Sequence, residues 1–334
     1  LGRSSAASDV YKRQGWAGPT LVRMTVLIDP PAWPAHGTVF SHVVSDASLD
    51  ELHRFAAATG LSARAFDLDH YDVPKHRYDE MIATGATPVD GRELVRRLIR
   101  SGLRVPARAR PERVSTALHR RWGRLWAQHL PRAEAEAVDR LGRELLRRWS
   151  QPHRHYHDLT HLSAVLAALD VLEHAGTPFG SDPAVVRLAA WFHDAVYDAD
   201  PSAPAGTDEE ASARLALDLL DEDALRVPTH QAAETARLVR VTAAHRPSSD
   251  DAAAAALCDA DLAVLAGPAE DYERYRVAVR ADFAHVDDDA WARGRAHVLR
   301  SLLEAPTLFT TAYGRARWEV PARANLAREL EALT

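Results

Sequence analysis

The feature that most constrains the fold is a long region of helical periodicity that begins near residue 114 and continues through the rest of the chain. Apolar residues recur there at spacings of three and four, which is typical of helices that bury one face. Runs rich in β-branched residues are almost absent from this region. We therefore predict an all-α domain over residues 114–334. Its predicted helical segments are EAVDRLGRELLRRW, LTHLSAVLAALDVLEHA, PAVVRLAAWFHDAVY, DEEASARLALDLL, QAAETARLVRVTAAH, YERYRVAVRADFAHV, WARGRAHVLRSLLE and PARANLARELEAL.

Residues 24–104 have a different character. The runs TVLID and TVFSHVVS predict two strands, and ARAFDLDHY predicts a third. The segment LDELHRFAAATG predicts a helix capped by Ser48 and closed by Gly60, and GRELVRRLIRSGL predicts a helix that ends at Gly102. This alternation predicts a small α/β domain. Because 334 residues exceed one ordinary core, a chain of two domains is expected.

Two segments are expected to lie outside these domains. Residues 105–113 fall in the stretch RVPARARPERVS, whose prolines and arginines predict a linker. The first 14 residues, LGRSSAASDVYKRQ, resemble translated adapter sequence and lack the apolar core of a secretory signal. We expect residues 1–23 to be a non-native or disordered tail, with Met24 as the natural start.

Composition excludes several classes of protein. The net charge of −6 provides no general attraction to nucleic acid or anionic lipid, so a nucleic-acid partner is not expected. A single cysteine, Cys258, excludes an internal disulfide framework and suits a reducing compartment. No apolar run approaches the roughly 20 residues that a membrane helix needs. We therefore predict a soluble cytoplasmic protein without a membrane partner.

Histidine and aspartate residues recur in motifs that are far apart in the helical region. RHYHDLTHL contains His161, WFHDAVYD contains His193 and Asp194, and CDADLAVL contains Asp261. The last two motifs have apolar flanks that predict burial, and a buried carboxylate needs a partner or a metal ion. These residues are therefore either hydrogen-bonded polar groups of the core or the ligands of one metal. Two imidazoles and two carboxylates without a thiolate suit Mn²⁺, Fe²⁺, Mg²⁺ or a similar divalent ion.

The order of these motifs resembles the HD superfamily of metal-dependent phosphohydrolases, specifically a bacterial branch whose substrates are mostly unassigned. The resemblance covers about residues 120–334 and includes EEASA, TAAH, GRAHVL and WEVPARANL. It implies that His161, His193, Asp194 and Asp261 bind the metal. Asp259 is a less suitable ligand, since the family's distal aspartate directly precedes the apolar continuation. The implied activity is hydrolysis of a phosphate ester or phosphoanhydride by water that the metal activates.

The resemblance also suggests residues that assist the reaction. Glu209 is the candidate to orient or deprotonate the attacking water. Asp208 stands where many superfamily members have a histidine for a second metal, so a single-metal site is expected. Glu210 is expected to face elsewhere on the helix. His245 either assists the leaving oxygen or phosphate, or is an ordinary histidine near a helix C-terminus.

Two further residues near the first motif are candidates for substrate binding. Arg154 either clamps a phosphate through its guanidinium group or is one of many surface arginines. His157 either faces the same cavity as His161 or lies just outside the helix, because Asp158 is a plausible N-cap.

The N-terminal domain resembles the family of unknown function DUF4031 through VLIDPPAWPAHG, SHVVSD and FDLDHYDVP. Polar residues accompany its predicted strand ends, where α/β folds place ligands, although such residues also serve ordinary turns. A second site of unassigned chemistry is thus one of two interpretations. The residues are Asp29, His36, His42, Asp46, Asp69, His70 and Tyr71.

The sequence therefore predicts an enzyme that acts on a small phosphorylated substrate, with a nucleotide as the favoured class. A module that senses a nucleotide through the metal without turnover is the alternative. An HD-type di-iron oxygenase ranks below both, because it requires more ligands than the motifs supply.

Overall fold

The computed structural model describes residues 26–35, 37–105, 110–180, 182–200 and 202–333. The tail predicted at residues 1–23 lies outside the described residues. Contacts divide the chain into two compact units, residues 1–105 and 106–334. The predicted fold class is confirmed, since a small α/β unit precedes an all-α unit.

The first unit contains a mixed sheet centred on its longest strand, β3. This strand pairs antiparallel with β1, β2 and β4, while β1 pairs in parallel with β5. The second half of TVFSHVVS is largely buried on both faces, as expected of a strand at the centre of a sheet. The strands are β1 (Val26–Ile28), β2 (Trp33–Ala35), β3 (Thr38–Ser45), β4 (Tyr71–Pro74) and β5 (Thr87–Pro88).

The described part of this unit also contains the α-helices α1 (Leu49–Ala58), α2 (Tyr78–Ala83) and α3 (Gly91–Arg100). The predicted cap of α1 is confirmed, because the side chain of Ser48 accepts a hydrogen bond from the backbone N–H of Glu51. Gly60 and Gly102 follow α1 and α3 in the left-handed conformation, as expected of glycines that close helices.

The strand predicted over ARAFDLDHY is wrong for most of its length. Residues Ala63–Ala65 form a 3-10 turn in which the Ser62 side chain accepts the backbone N–H of Arg64. Leu68 has a φ of 64°, which interrupts an extended backbone. Regular pairing therefore begins only at Tyr71.

The second unit consists of helices. They are α4 (Pro111–His129), α5 (Ala135–Trp149), α6 (Leu159–His174), α7 (Pro183–Phe192), α8 (Thr207–Leu220), α9 (Thr229–Thr242), α10 (Ala252–Leu262), α11 (Ala269–Asp282), α12 (Asp288–Glu304), α13 (Ala312–Arg317) and α14 (Glu319–Leu333). Helix α4 begins inside the stretch predicted as linker, with Pro111 at its first turn. Proline suits that position, since its missing N–H would have no partner within the helix.

Three tryptophans form the centre of the main core. Trp122, Trp149 and Trp191 are fully buried. Trp122 Nε1 donates to the carbonyl of Val138 at 2.7 Å, and Trp149 Nε1 donates to the carbonyl of Trp191 at 3.0 Å. The second bond joins the end of α5 to α7. The Trp149 ring also lies 5.3 Å from the ring of His193, so the core directly supports a residue of the candidate site.

Helix α7 is buried over almost its whole surface, which explains its nearly continuous apolar sequence. Among the described residues, no single helix has both the length and the hydropathy to cross a membrane. Segments Ala252–Ala266 and Ala269–Asp282 pass that test only as a pair, and they are bent by 106° at their junction.

The contact between α4 and α5 provides a test of core packing. A Cβ at Gly142 would lie 2.5 Å from Cδ1 of the buried Trp122 ring, whereas a Cβ at Gly123 meets nothing within 4 Å. We predict that Gly142→Ala lowers the free energy of unfolding by about 1–3 kcal/mol, because the hydrogen-bonded indole cannot move aside without strain. Urea denaturation followed by circular dichroism measures the change.

Gly123→Ala is the matched control, since it places the same methyl group in a neighbouring helix with open space. It is expected to stabilise the protein by about 0.5–1 kcal/mol. Equal effects of the two substitutions would contradict the packing argument.

Candidate metal centre

The first residue of the site lies in the opening turn of α6. The carboxylate of Asp158 caps this helix by accepting hydrogen bonds from the N–H groups of Thr160 and His161, at 2.7 and 3.1 Å. The cap predicted at Asp158 is therefore confirmed. It places the buried His161 side chain at the helix end, where its Nε2 meets residues from other segments.

The His193–Asp194 pair follows the end of α7. The helix predicted over residues 183–197 is too long, because α7 ends at Phe192 and His193 is its C-cap. His193 Nδ1 lies 2.8 Å from the carbonyl oxygen of Ala190, to which it donates in the neutral ring. This bond selects the tautomer whose unprotonated Nε2 faces His161.

Three of the predicted ligands, His161, His193 and Asp261, offer donor atoms that lie within 4.8 Å of one another, and Asp194 adjoins the two imidazoles. The Nε2 atoms of His161 and His193 are 3.1 Å apart. Asp261 Oδ1 lies 3.1 Å from His161 Nε2 and 3.6 Å from His193 Nε2. Asp194 Oδ2 lies 3.7 and 3.2 Å from the same two nitrogens. Adjacent donors about 2.1 Å from one octahedral ion are about 3.0 Å apart, so this donor set fits a single divalent cation.

Burial and charge together shape the protonation of this cluster. Burial opposes the charging of His193, but the carboxylates of Asp194 and Asp261 outweigh it and raise the pKa of His193 well above its usual value. Burial likewise opposes ionisation of the carboxyls, yet the facing imidazoles hold the pKa of Asp261 well below its usual range. Two carboxylates in so small a space require compensating positive charge.

His245 contacts the cluster through one of the predicted ligands. Its Nε2 lies 2.7 Å from Asp261 Oδ2. The residue follows the end of α9 and has a left-handed φ of 48°. Its ring therefore orients the Asp261 carboxylate and also lines the neighbouring cavity.

The other aspartate of the CDADLAVL motif does not join the cluster. The carboxylate of Asp259 accepts the N–H groups of Thr310 and Thr311 at 2.7 and 2.8 Å, and so it holds the chain before α13. Gly314 packs against this carboxylate, because a Cβ there would lie 2.4 Å from Asp259 Oδ2.

Arg154 is buried, and its guanidinium group binds backbone. Nη1 donates to the carbonyls of His157 and Asp194 at 3.0 and 2.7 Å, and Nη2 donates to that of Ala195 at 3.3 Å. Of the two interpretations of Arg154, the surface arginine is excluded by its 5% exposure. The contacts assign it a positioning role that joins the RHYHDLTHL segment to the His193–Asp194 turn.

His157 is held by an aspartate that the sequence analysis missed. Asp282, at the end of α11, lies 2.8 Å from His157 Nδ1 and accepts the N–H groups of His155 and Tyr156 at 2.5 and 3.2 Å. The His157 ring stacks on Tyr197 at a centroid distance of 4.1 Å. Because Asp282 lies 125 residues from His157 in the sequence, no local sequence pattern predicts this contact.

A cavity of about 330 Å³ opens beside the cluster. Asp194, Asp261, His157, His245 and Glu209 contribute to its wall. Its described lining also includes Asp200, Asp208, Tyr156, Tyr197, Tyr275, Phe283 and the small residues that precede α8. The volume falls in the range of small-molecule sites, so the cluster faces a space that a metabolite can enter.

The three acidic residues that open α8 have different surroundings. Burial, followed by the charges of Asp194 and Asp208, raises the pKa of Glu209. Asp208 Oδ2 accepts the N–H groups of Asp198 and Ala199 at 3.0 and 3.3 Å, and thereby holds the turn that enters the cavity wall. Glu210 pairs with Arg214 and Arg240, which lower its pKa to about 2. It therefore faces away from Glu209, as expected.

The polar residues of the first unit divide into two groups. Asp29, His42, Asp69 and His70 lie together, and Asp72, which the sequence analysis missed, joins them. Asp46 pairs instead with Arg97, and the Tyr71 hydroxyl lies 2.9 Å from His53 Nδ1. His36 lies outside the described residues.

Comparison with known proteins gives one match. Residues 26–101 match the family model of the protein of unknown function DUF4031. No curated protein and no solved structure matches the chain. The match supports the expected N-terminal domain and covers none of the helical unit.

We predict that His193→Ala or Asp194→Ala weakens Mn²⁺ binding more than about 100-fold, because each variant removes a donor atom from the cluster. Elemental analysis after equilibration with Mn²⁺ and dialysis measures the metal content. His174→Ala is the control, since that histidine is exposed at the other end of α6. Wild-type metal content in the Asp194→Ala protein would refute this centre.

We expect Arg154→Met to lower the free energy of unfolding by about 2–4 kcal/mol, because it leaves buried carbonyl oxygens without donors. Chemical denaturation measures the loss. Arg143→Met, which removes an exposed arginine of α5, is expected to have little effect. A similarly small effect at both positions would show that Arg154 does not join the two segments.

Proposed function

We propose that the helical unit is a metal-dependent phosphohydrolase of the HD type that acts on a nucleotide or another small phosphorylated metabolite. The observation that carries the proposal is the convergence of His161, His193, Asp194 and Asp261 beside one cavity. The resemblance of RHYHDLTHL, WFHDAVYD and DADLAVL to the HD motifs supports the same reaction class.

The donor set supports a divalent cation with open coordination positions. Two imidazole nitrogens and two carboxylate oxygens, without a thiolate, favour Mn²⁺, Fe²⁺ or Mg²⁺ over structural zinc. When bound, such an ion would lower the pKa of water and polarise a phosphoryl oxygen. His193 and Asp261 have further anchors, at the Ala190 carbonyl and at His245, that set their orientation before a ligand arrives.

Glu209 is the proposed proton acceptor for the attacking water. It lines the cavity on the first turn of α8, and its raised pKa brings it closer to the working pH of a general base. Asp208 does not share this role, since one carboxylate oxygen accepts two backbone N–H groups.

The charge of the cavity constrains how a phosphate could bind. The described lining contains five acidic residues, Asp194, Asp200, Asp208, Glu209 and Asp261, and neither lysine nor arginine. A phosphate group therefore needs a cation to offset this negative charge. We infer that substrate binds together with the divalent ion rather than through an arginine clamp, and Arg154 keeps its positioning role.

The aromatic and aliphatic residues of the cavity lining suit an apolar or planar part of the substrate. Tyr275 and Phe283 line the cavity together with Leu262 and Val264. Aromatic rings stack on nucleobases, which favours a nucleotide over a purely polar phosphoester. The buried state of Cys258 and the absence of another cysteine suit the cytoplasm as the compartment for such an enzyme.

The activity is tested by a screen of the purified chain with Mn²⁺ against nucleotides and an aryl phosphate, with released phosphate and pyrophosphate as readouts. We expect turnover of at least one substrate, abolished by a chelator and restored by the metal. Saturable nucleotide binding without release of either product would favour the sensing module and overturn the hydrolase proposal.

We predict that Glu209→Gln lowers kcat about 10²–10⁴-fold, because the amide cannot accept the proton, while the metal content stays at the wild-type level. Glu210→Gln changes the neighbouring carboxylate, which is paired with arginines, and is the matched control with near wild-type kcat. Equal kcat values for the two variants would remove Glu209 from the reaction.

A further inference from the structure

A second group of possible metal ligands lies on the sheet of the first unit. The register of β3 and β4 places His42 opposite Asp72, and His70 directly precedes β4. Asp72 Oδ1 lies 3.8 Å from His42 Nε2 and 3.5 Å from His70 Nε2. One donor atom from each of the three residues lies within 4.8 Å of the other two. Strand pairing therefore brings two imidazoles and one carboxylate together.

Both imidazoles are anchored through their other nitrogen. His42 Nδ1 lies 3.0 Å from Asp29 Oδ2, and His70 Nδ1 lies 2.6 Å from Asp69 Oδ1. Both of these carboxylates are buried. A carboxylate at Nδ1 holds the proton on that atom and leaves the Nε2 lone pair facing Asp72. Histidines that bind metal ions commonly have such a partner.

The two anchoring carboxylates are themselves held in place. Asp29 accepts hydrogen bonds from the backbone N–H of His42 and from Trp33 Nε1, at 2.5 and 3.2 Å. Asp69 binds Arg104 Nη1 at 2.8 Å and accepts the N–H of Val105 at 2.6 Å. These bonds restrict rotation of both carboxylates, and the positions of the imidazoles are consequently set by the protein.

The separations within the cluster match those of ligands that share one cation. The Nε2–Oδ1 distances of 3.5 and 3.8 Å exceed those of good hydrogen bonds. Two donors about 2.1 Å from one tetrahedral ion are about 3.4 Å apart, which is close to both values. The three groups are thus spaced as the ligands of one cation would be.

We propose that His42, His70 and Asp72 bind a divalent transition-metal ion such as Zn²⁺ through two Nε2 atoms and one carboxylate oxygen. Three protein ligands leave at least one position open. The Asp72 side chain is 45% exposed, so this position is accessible from solvent. The site belongs to a different unit from the phosphohydrolase centre, and the proposal does not depend on that function.

The test measures zinc binding by the full, untagged chain in which Asp194→Asn and Asp261→Asn remove the other centre. Competition with a chromophoric chelator gives the affinity, and elemental analysis after dialysis gives the stoichiometry. We expect this background to retain one equivalent of zinc. Adding His42→Ala and His70→Ala is expected to abolish it.

Two single substitutions in the same background provide the controls. Asp72→Asn preserves the shape of the side chain, and we expect it to weaken zinc binding at least tenfold. His76→Ala removes an exposed histidine of the same unit and should leave the affinity unchanged. Circular dichroism shows whether each variant is folded. If the double histidine variant does not fold, the zinc affinity of the Asp72→Asn variant tests the site instead.

Three results would each overturn the proposal. They are a background that binds no zinc, zinc that persists after both histidines are replaced, and equal zinc binding by the Asp72→Asn and His76→Ala variants. Because the hydrolase assay uses the intact helical centre and phosphate release, failure of the zinc site leaves its outcome unaffected.

Discussion

The arrangement of the helical unit depends on one constraint, namely that two carboxylates lie beside two buried imidazoles. Asp194 and Asp261 face His161 and His193 at distances of 3.1–3.7 Å, next to a core of tryptophan and aliphatic side chains. Such a cluster is unfavourable without added positive charge, which either protons or a cation supply.

Backbone contacts hold the segments that carry the site. Arg154 binds the carbonyls of His157, Asp194 and Ala195, while Asp282 accepts N–H groups from the segment that begins at His155. The site residues lie at helix ends, where N–H and C=O groups lack helical partners and are available for such bonds. Asp282 lies at the C-terminal end of α11, where a negative charge interacts unfavourably with the helix dipole. The hydrogen bonds that its carboxylate accepts offset this unfavourable interaction. The site is consequently organised by contacts between segments rather than by one helix.

The two units use the same chemical arrangement on different folds. In the helical unit, His193 is anchored at Nδ1 by a backbone carbonyl. In the sheet unit, His42 and His70 are anchored at Nδ1 by buried carboxylates. In each case Nε2 is directed toward a further carboxylate, Asp261 or Asp72. The helical cluster opens onto a cavity with aromatic and acidic walls, whereas the sheet cluster lies at a solvent-exposed carboxylate, and these settings suit different ligands.

The sequence alone determined the features that depend on neighbouring residues. Helical periodicity predicted the all-α unit, and the caps at Ser48 and Asp158 were predictable because an N-cap bonds within its own first turn. The aspartates in apolar runs could also be singled out from sequence, since a buried carboxylate needs a partner, and their role as metal ligands stays a prediction. Only the tertiary structure decided which groups meet: Asp282 with His157, Asp72 with His42, and Arg154 with carbonyls rather than a ligand. The strand predicted over residues 63–71 and the helix predicted to residue 197 were wrong because capping and turn geometry overrode propensity. Contacts across many residues arise from packing and strand register, which no local pattern encodes.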